Sequence, residues 1–383
     1  MAEPCSLKQL LLYFLKLGAT GFGGPIALVG YMQKDLVDER KWISAEEYRE
    51  GLALAQLAPG PLAAQLAIYL GWARAGILGA TLAGIAFVLP SFLIVLALSA
   101  VYLHYGGLSW MQGAFYGIGA AVIAVIVRSA MKLTGLTLAK DWLLWFVAVV
   151  NALVVAWTES EIVWVFLGSG LFVWLVRVFR KPLPPTVAIA AIPPWLISGL
   201  HGPATGETVG NIAWYFTAAG AFVFGSGLAI VPFLYGGVVQ DFRWLNERQF
   251  IDAVAVAMIT PGPVVITVAF IGYLVAGPVG ACVAALGTFL PCYLFTIVPA
   301  PFFRKFGKNQ HLKAIVDGVT AAATGAIGGA AFVLGKRAIY DIPTIAIGVI
   351  ALVLLFVKPK KVPDMVLVLA AGLVGTFIVS RGA

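Results

Sequence analysis

Four short runs of helix-breaking residues interrupt stretches that are otherwise apolar enough to cross a bilayer: Gly21-Phe22-Gly23-Gly24-Pro25, Pro59-Gly60-Pro61, Gly225-Ser226-Gly227 and Pro261-Gly262-Pro263. Pro59 cannot donate into the preceding turn and pushes Ala58 out of helical geometry, Gly60 permits close backbone approach, and Pro61 suits the first position of a new helix. Backbone groups freed at membrane depth cost several kcal/mol each unless protein, water or a ligand satisfies them. A single proline in a membrane helix is usually a packed kink. Four breaks in two matching pairs point instead to a built site. A helix restarting at Pro25 or Pro61 aims free N–H groups and a partial charge of about +0.5 toward the midplane, which is chemistry suited to an anion.

The polar residues around these breaks each carry a functional and a plain reading. Lys16 lies less than two turns before the first break, where a charge costs about 2.5–3.5 kcal/mol unless it snorkels or is paired; its sign suits an anion, directly or at one remove. Gln56 and Gln65 bracket the first PGP and have Met258 and Thr267 as counterparts in the second half; Gln56 is the preferred donor to an oxyanion. Thr260 offers a hydroxyl beside the second PGP, although a threonine bonded back to its own helix is as common. Glu50 and Asp252 each precede the first proline of a PGP by nine residues, roughly 13 Å along a helix, so both read as mouth-level carboxylates or as proton-coupling groups. Arg74 either funnels anions or sets topology. Arg128 and Asp317 read as charges at helix ends, and Trp42, Trp110, Trp142, Trp164 and Trp244 as an interfacial belt.

These breaks need membrane-spanning elements to hold them, and the composition supplies them. The chain has 383 residues, 61% of them apolar and 11% charged, with a mean hydropathy of +0.98. Soluble domains run near half apolar and a quarter charged, so a water-soluble globule is excluded. The net charge of +8 reflects cytoplasmic loops facing anionic lipid, and no basic stripe suggests a nucleic-acid partner. Cys5, Cys282 and Cys292 are scattered, and His104, His201 and His311 sit singly in connecting segments, so neither disulfides nor a metal site is expected. No cofactor motif or nucleophile–base pair suggests an enzyme. The first apolar stretch has no small-residue cleavage site after it and reads as a span.

The chain is a doubled half. Residues 14–61 align without a gap on 216–263, pairing Phe22 with Phe224, Gly23 with Gly225, Trp42 with Trp244 and one PGP with the other. A one-residue slip then keeps Gly71/Gly272, Gly76/Gly277, Pro90/Pro291 and Gly117/Gly318 in step. The expected organisation is a first repeat over 1–181, a Pro- and Gly-rich linker over 182–209 that could itself cross, and a second repeat over 210–383. Apolar stretches give about six spans per half, or about 13 with the linker. Arg74, Lys132, Lys140 and Arg177 mark one side of the first half, whereas Lys305, Lys308, Lys358 and Lys360 fall where the first half has uncharged loops. By the positive-inside rule the second half is inverted and the N-terminus is inside, with Lys336 and Arg337 left on the outer side against the rule. The expected fold is thus all-α, integral to the membrane, with two inverted repeats and broken helices meeting at the midplane, the architecture of secondary transporters. Whether each broken stretch is a discontinuous span or a re-entrant hairpin is open at this level, as is a homodimer.

FLKLGATGFGGP, the segment LVDERKWISAEEYREGLALAQLAPGP and the second PGP in MITPGP also resemble the chromate ion transporter family in its long, two-domain form, over nearly the whole chain. The resemblance implies a multi-pass carrier of a prokaryotic inner membrane that exports the chromate dianion, driven by the proton-motive force, so that chromate, protons and membrane lipid are its partners. Gly225-Ser226-Gly227 stands where the first half has Gly23-Gly24-Pro25, so the two halves need not contact the substrate equally. Uptake of sulfate or another tetrahedral oxyanion, and a passive anion channel, are the alternatives; a dianion leaving an inside-negative cell gains about 4.6 kcal/mol per 100 mV, and the scarcity of buried carboxylates argues against uptake.

Overall fold

The computed structural model describes residues 5–22, 24–105, 109–138, 141–158, 163–178, 205–222, 230–302, 310–357 and 364–382, which are helical and contain no strand. Gly225, Ser226, Gly227 and Gly23, and most of the linker, lie outside the described residues. The first half runs α1 (Leu7–Thr20), α2 (Gly24–Met32), α3 (Ala45–Leu57), α4 (Leu62–Tyr105), α5 (Ser109–Thr137), α6 (Trp142–Thr158) and α7 (Val163–Val178). The second runs α8 (Gly206–Phe222), α9 (Ile230–Tyr235), α10 (Glu247–Ile259), α11 (Thr267–Ile297), α12 (Gln310–Ala338), α13 (Ile342–Val357) and α14 (Asp364–Gly382).

Local chemistry repeats between the halves. Ser44 and Glu47 form a reciprocal capping box at the start of α3, and Asn246 and Gln249 form its counterpart at the start of α10. A π-helical turn follows α2 at Gln33–Glu39 and α9 at Gly236–Asp241. Lys41 and Arg243, both just before a tryptophan, take the left-handed φ values 53° and 52°. Both long helices break at equivalent places, α4 at Ala75-Gly76 and α11 at Ala276-Gly277, with Gly76 at φ 59° and Gly277 at φ 62°. Past that bend the chain doubles back, so Gly71 lies against Gly79 and Gly272 against Gly280, with no room for a side chain between them.

The segments flanking the first PGP also run back alongside each other. The Tyr69 hydroxyl donates to Glu50 at 3.2 Å, and Gly51 faces the Tyr69 ring, so positions nine residues either side of the turn are level. Cys5, before α1, lies beside both Glu47, at the start of α3, and the Arg74 guanidinium, before the α4 bend. Arg40, beyond α2, stacks over the Tyr13 ring of α1 at 5.6 Å. Two hairpins therefore open at one end of the molecule, with GFGGP and PGP at their tips. The mouth of α10 lies elsewhere: Tyr102, 26 residues and so about 39 Å beyond the α4 bend, meets Asp252.

Close helix contacts are made through small residues. Gly18 of α1 meets the Phe87 carbonyl of α4, and Gly220 of α8 meets the Thr288 carbonyl of α11 in the same way. The remaining helices exchange partners between halves: α5 packs on α13 and α14, and α12 packs on α6 and α7. The outer surface carries large apolar side chains such as Trp157, Ile342 and Leu373, as a lipid-facing surface does. Leu62–Tyr105, Trp110–Arg128, Val264–Phe302 and Asp317–Lys336 are long and apolar enough to cross a membrane.

Candidate functional site

The breaks converge. The Gly262 N–H of the second PGP donates to the Gly21 carbonyl of the first break at 2.8 Å, joining the tip of one half to the tip of the other. Gly262 has φ +92°, and a Cβ there would sit 2.8 Å from the Ser91 Oγ of α4. Gly60 has φ +141°, and its Cβ would sit 3.1 Å from the Cys292 Cβ of α11. Ser91 follows Pro90 and Cys292 follows Pro291, so each PGP glycine rests against the same position of the opposite half.

The two turns are held differently. Gln65 is wholly buried, and its Nε2 donates to the Pro59 carbonyl at 2.8 Å and the Ala58 carbonyl at 3.4 Å, so its amide fastens the first turn from within. Its Oε1 is buried without a hydrogen-bond partner among the described residues. An acceptor oxygen there suits a donor such as water rather than a bare dianion. In the second half Val264–Ile266 forms a 3-10 turn, and the Thr267 hydroxyl, standing where Gln65 stands, donates to the Val264 carbonyl at 2.8 Å. The Thr260 hydroxyl donates back to Ala257 at 3.0 Å, the local bond expected of a threonine near a helix end.

The other expected site residues scatter around this centre. Phe22 and Pro25 are half-buried beside the Gly21 contact, with Gly24 opening α2. Pro61, Pro261 and Pro263 are buried and Pro59 half-buried. Gln56 is exposed, one turn before the first PGP, whereas Gln65 is the glutamine at the turn. Lys16 is exposed, outside the face of α1 that buries Tyr13, Phe14 and Leu17, and its carbonyl accepts from the Thr20 hydroxyl at 2.8 Å. Arg74 is exposed at the hairpin mouth. Glu50 is half-buried against Tyr69, whereas Asp252 is buried and accepts from the Tyr102 hydroxyl at 2.7 Å.

Several contacts escape a reading of single motifs. Ser91, Cys292 and Tyr102 make their contacts from positions far along the chain, and Tyr69 makes its contact with Glu50 from the other arm of one hairpin. Only the pairing of Pro90 with Pro291 in the internal repeat carried a signal for the first two. Asp317 is not a lone charge at a helix end: Arg177 of α7 bridges it to Asp141, tying the halves together. At the equivalent place in the other half the Tyr116 hydroxyl donates to Asp341 at 2.7 Å.

Known proteins match the chain over nearly its whole length. The chain is 58% identical over 382 residues to a probable chromate transport protein of Synechococcus elongatus, covering 98% of this chain and 96% of that protein. It is 59% identical over 376 residues to the chromate transport protein of Cupriavidus metallidurans, covering 98% and 94%. The chromate transport protein of Pseudomonas aeruginosa is 32% identical over 391 residues, covering 98% and 93%. No solved structure matches the chain. The pattern defining the chromate transporter family fits residues 8–174 and fits again over 210–376, one match to each half, and the chain therefore belongs to that family of membrane proteins.

Proposed function

We propose that this chain is a secondary active carrier that exports chromate across a prokaryotic inner membrane at the expense of the proton-motive force. The observation that carries the reading is the meeting of the two tips, through Gly21 and Gly262, with each PGP glycine seated on the opposite half. Helix termini converging at one level supply N–H groups and partial positive charge for an oxyanion. Lys16, Gln56 and Thr260 add polar groups along the approaches, and Arg74 a cation at the mouth. Two tips approached from opposite ends, and joined by few bonds, are suited to alternating access, in which one half rocks against the other.

The same contacts support inverted repeats with re-entrant hairpins. In this arrangement each half has two hairpins and four spans, and the linker crosses once, giving about nine crossings in place of about 13. A hairpin removes two crossings at a time, so parity is kept. The N-terminus, Lys132 and Lys305 stay inside, while Glu159 and Lys336 stay outside. Only the loops after α2 and α9 change sides, which brings Lys34, Arg40 and Lys41 inside with the other cations.

Inverted membrane vesicles carrying the protein test the function. Chromate accumulation that collapses when the pH gradient is removed, and exceeds that of sulfate, molybdate and phosphate, is the expected result. A preference for sulfate would redirect the reading to a sulfate carrier. Unitary conductance steps in a planar bilayer would make the protein a channel.

A further inference from the structure

Among the side chains whose burial is described, Asp252 is the only charged one that is buried, at 4% exposed. It sits on α10, nine residues before Pro261 of the second PGP, and its Oδ2 accepts from the Tyr102 hydroxyl at the far end of α4. The Tyr102 ring is fixed edge-on between Phe115 of α5, at 5.5 Å, and Phe270 of α11, at 5.3 Å. A cavity of about 200 Å³ opens beside the carboxylate, walled by Arg248 and Glu247 of α10, Tyr116 of α5 and Tyr340 beyond α12. Those four groups and Tyr102 are the described titratable or charged groups that face Asp252 and its cavity.

Glu50, the counterpart of Asp252, is placed differently. It is half-buried, and its phenol partner, Tyr69, belongs to the same hairpin. The position equivalent to Tyr69 in the second half is Phe270, which has no hydroxyl. Asp252 must therefore take its phenol from α4 of the other half. The Tyr102–Asp252 bond thus ties α10 of the second half to α4 of the first, and its strength depends on charge. Hydrogen bonds to an ionised acceptor are roughly twice as strong as neutral ones.

We propose that Asp252 is the proton-coupling carboxylate of the carrier and that this cavity is its port to the outer face. A proton from cavity water forms an O–H bond on the Asp252 carboxylate, and the loss of charge weakens the hold of Tyr102. The hairpin is then free to move, and the O–H bond breaks again when the proton leaves to water on the inner side. No other bond changes. The assignment rests on the proton-driven reading given above and selects one of its two candidate carboxylates.

The test uses the full chain in liposomes, with radiolabelled chromate followed in two ways: accumulation driven by an imposed pH gradient, and chromate–chromate exchange without a gradient. Asp252→Asn keeps the shape and an acceptor for Tyr102. It is expected to lower driven accumulation at least about tenfold while exchange stays within about twofold of the unsubstituted protein. Glu50→Gln is expected to spare both. Tyr102→Phe should keep driven transport but move its half-maximal pH about one unit toward alkaline, because the proton no longer competes with the phenol. Driven accumulation retained by Asp252→Asn, or exchange lost in step with it, overturns the assignment, as does an unshifted Tyr102→Phe profile. Unsubstituted protein that exchanges chromate yet ignores the pH gradient overturns the proton-driven reading itself.

Discussion

At the scale of single residues the two PGP glycines make the sharpest demand. Gly60 and Gly262 hold φ values that residues with a Cβ rarely adopt, at a cost of about 1–3 kcal/mol for any replacement. The atoms nearest a new Cβ are Gln65 Nε2 at 2.7 Å and Ser91 Oγ at 2.8 Å, side-chain atoms that can give way to a methyl group but not to an isobutyl group. Gly60→Ala should therefore retain measurable chromate flux per folded molecule, and Gly60→Leu with Gly262→Leu should lose more than about tenfold while remaining monodisperse in detergent. Normal flux from that double variant would remove the turns from the substrate site. Lys16→Gln should depress flux more than Arg128→Gln, since only Lys16 approaches a break, and Lys16→Arg should rescue only in part because the guanidinium differs in size and hydration. Equal losses would exclude Lys16. The sequence made the breaks legible because proline and glycine act locally. It could not rank Gln65 above Gln56 at the turn, because the amide reaches backward across Pro61 to carbonyls whose position depends on the folded bend.

At the scale of elements, apolar length and charge pattern revealed the helices and their repetition, but not the path of the broken ones. A stretch of about 27 apolar residues with a break in its middle is equally long as a discontinuous span or as two arms of a hairpin. The hairpin reading proposed above rests on contacts between arms, such as Tyr69 with Glu50 and Arg40 with Tyr13, which no periodicity encodes. The side chains that build these corners differ between halves. Arg40 lies over Trp42 at 4.6 Å, whereas Phe242 takes its place and stacks on Trp244 at 4.4 Å, so the same corner is built once from a cation and once from a ring. Hairpins and continuous spans predict opposite sides for these corners. With the native cysteines removed, Lys41→Cys should react with an impermeant maleimide from the cytoplasmic side, as Lys132→Cys does, and Arg243→Cys from the outer side. Labelling of Lys41→Cys and Lys132→Cys from opposite faces would return the first half to continuous spans.

At the scale of the whole molecule the halves are joined by exchanged helices, α5 with α13 and α14 and α12 with α6 and α7, and by two polar ties at the ends of those contacts. One is neutral on its donor side, Tyr116 to Asp341. The other is ionic, with the Arg177 guanidinium forked between Asp141 and Asp317. Burial pushes the Asp141 carboxyl up, but the Arg177 guanidinium and the backbone N–H groups of Leu143 and Leu144 outweigh it and hold the group below the usual carboxylate range. A carboxylate held low in the folded state adds stability above its unfolded pKa, near 3.9, and loses that contribution as pH falls through the lower folded value. Both aspartates remain a third exposed, so solvent screens part of the attraction and the effect on melting is modest. Arg177→Gln should lower the melting temperature of the detergent-solubilised protein by a few degrees at pH 7, and the difference should shrink as pH falls below about 4. Arg177→Lys should recover only part of the loss, because an ammonium cannot present a planar fork to two carboxylates. Identical melting of Arg177→Gln and the unsubstituted protein at pH 7 would show that the ionic tie adds nothing to the junction between the halves.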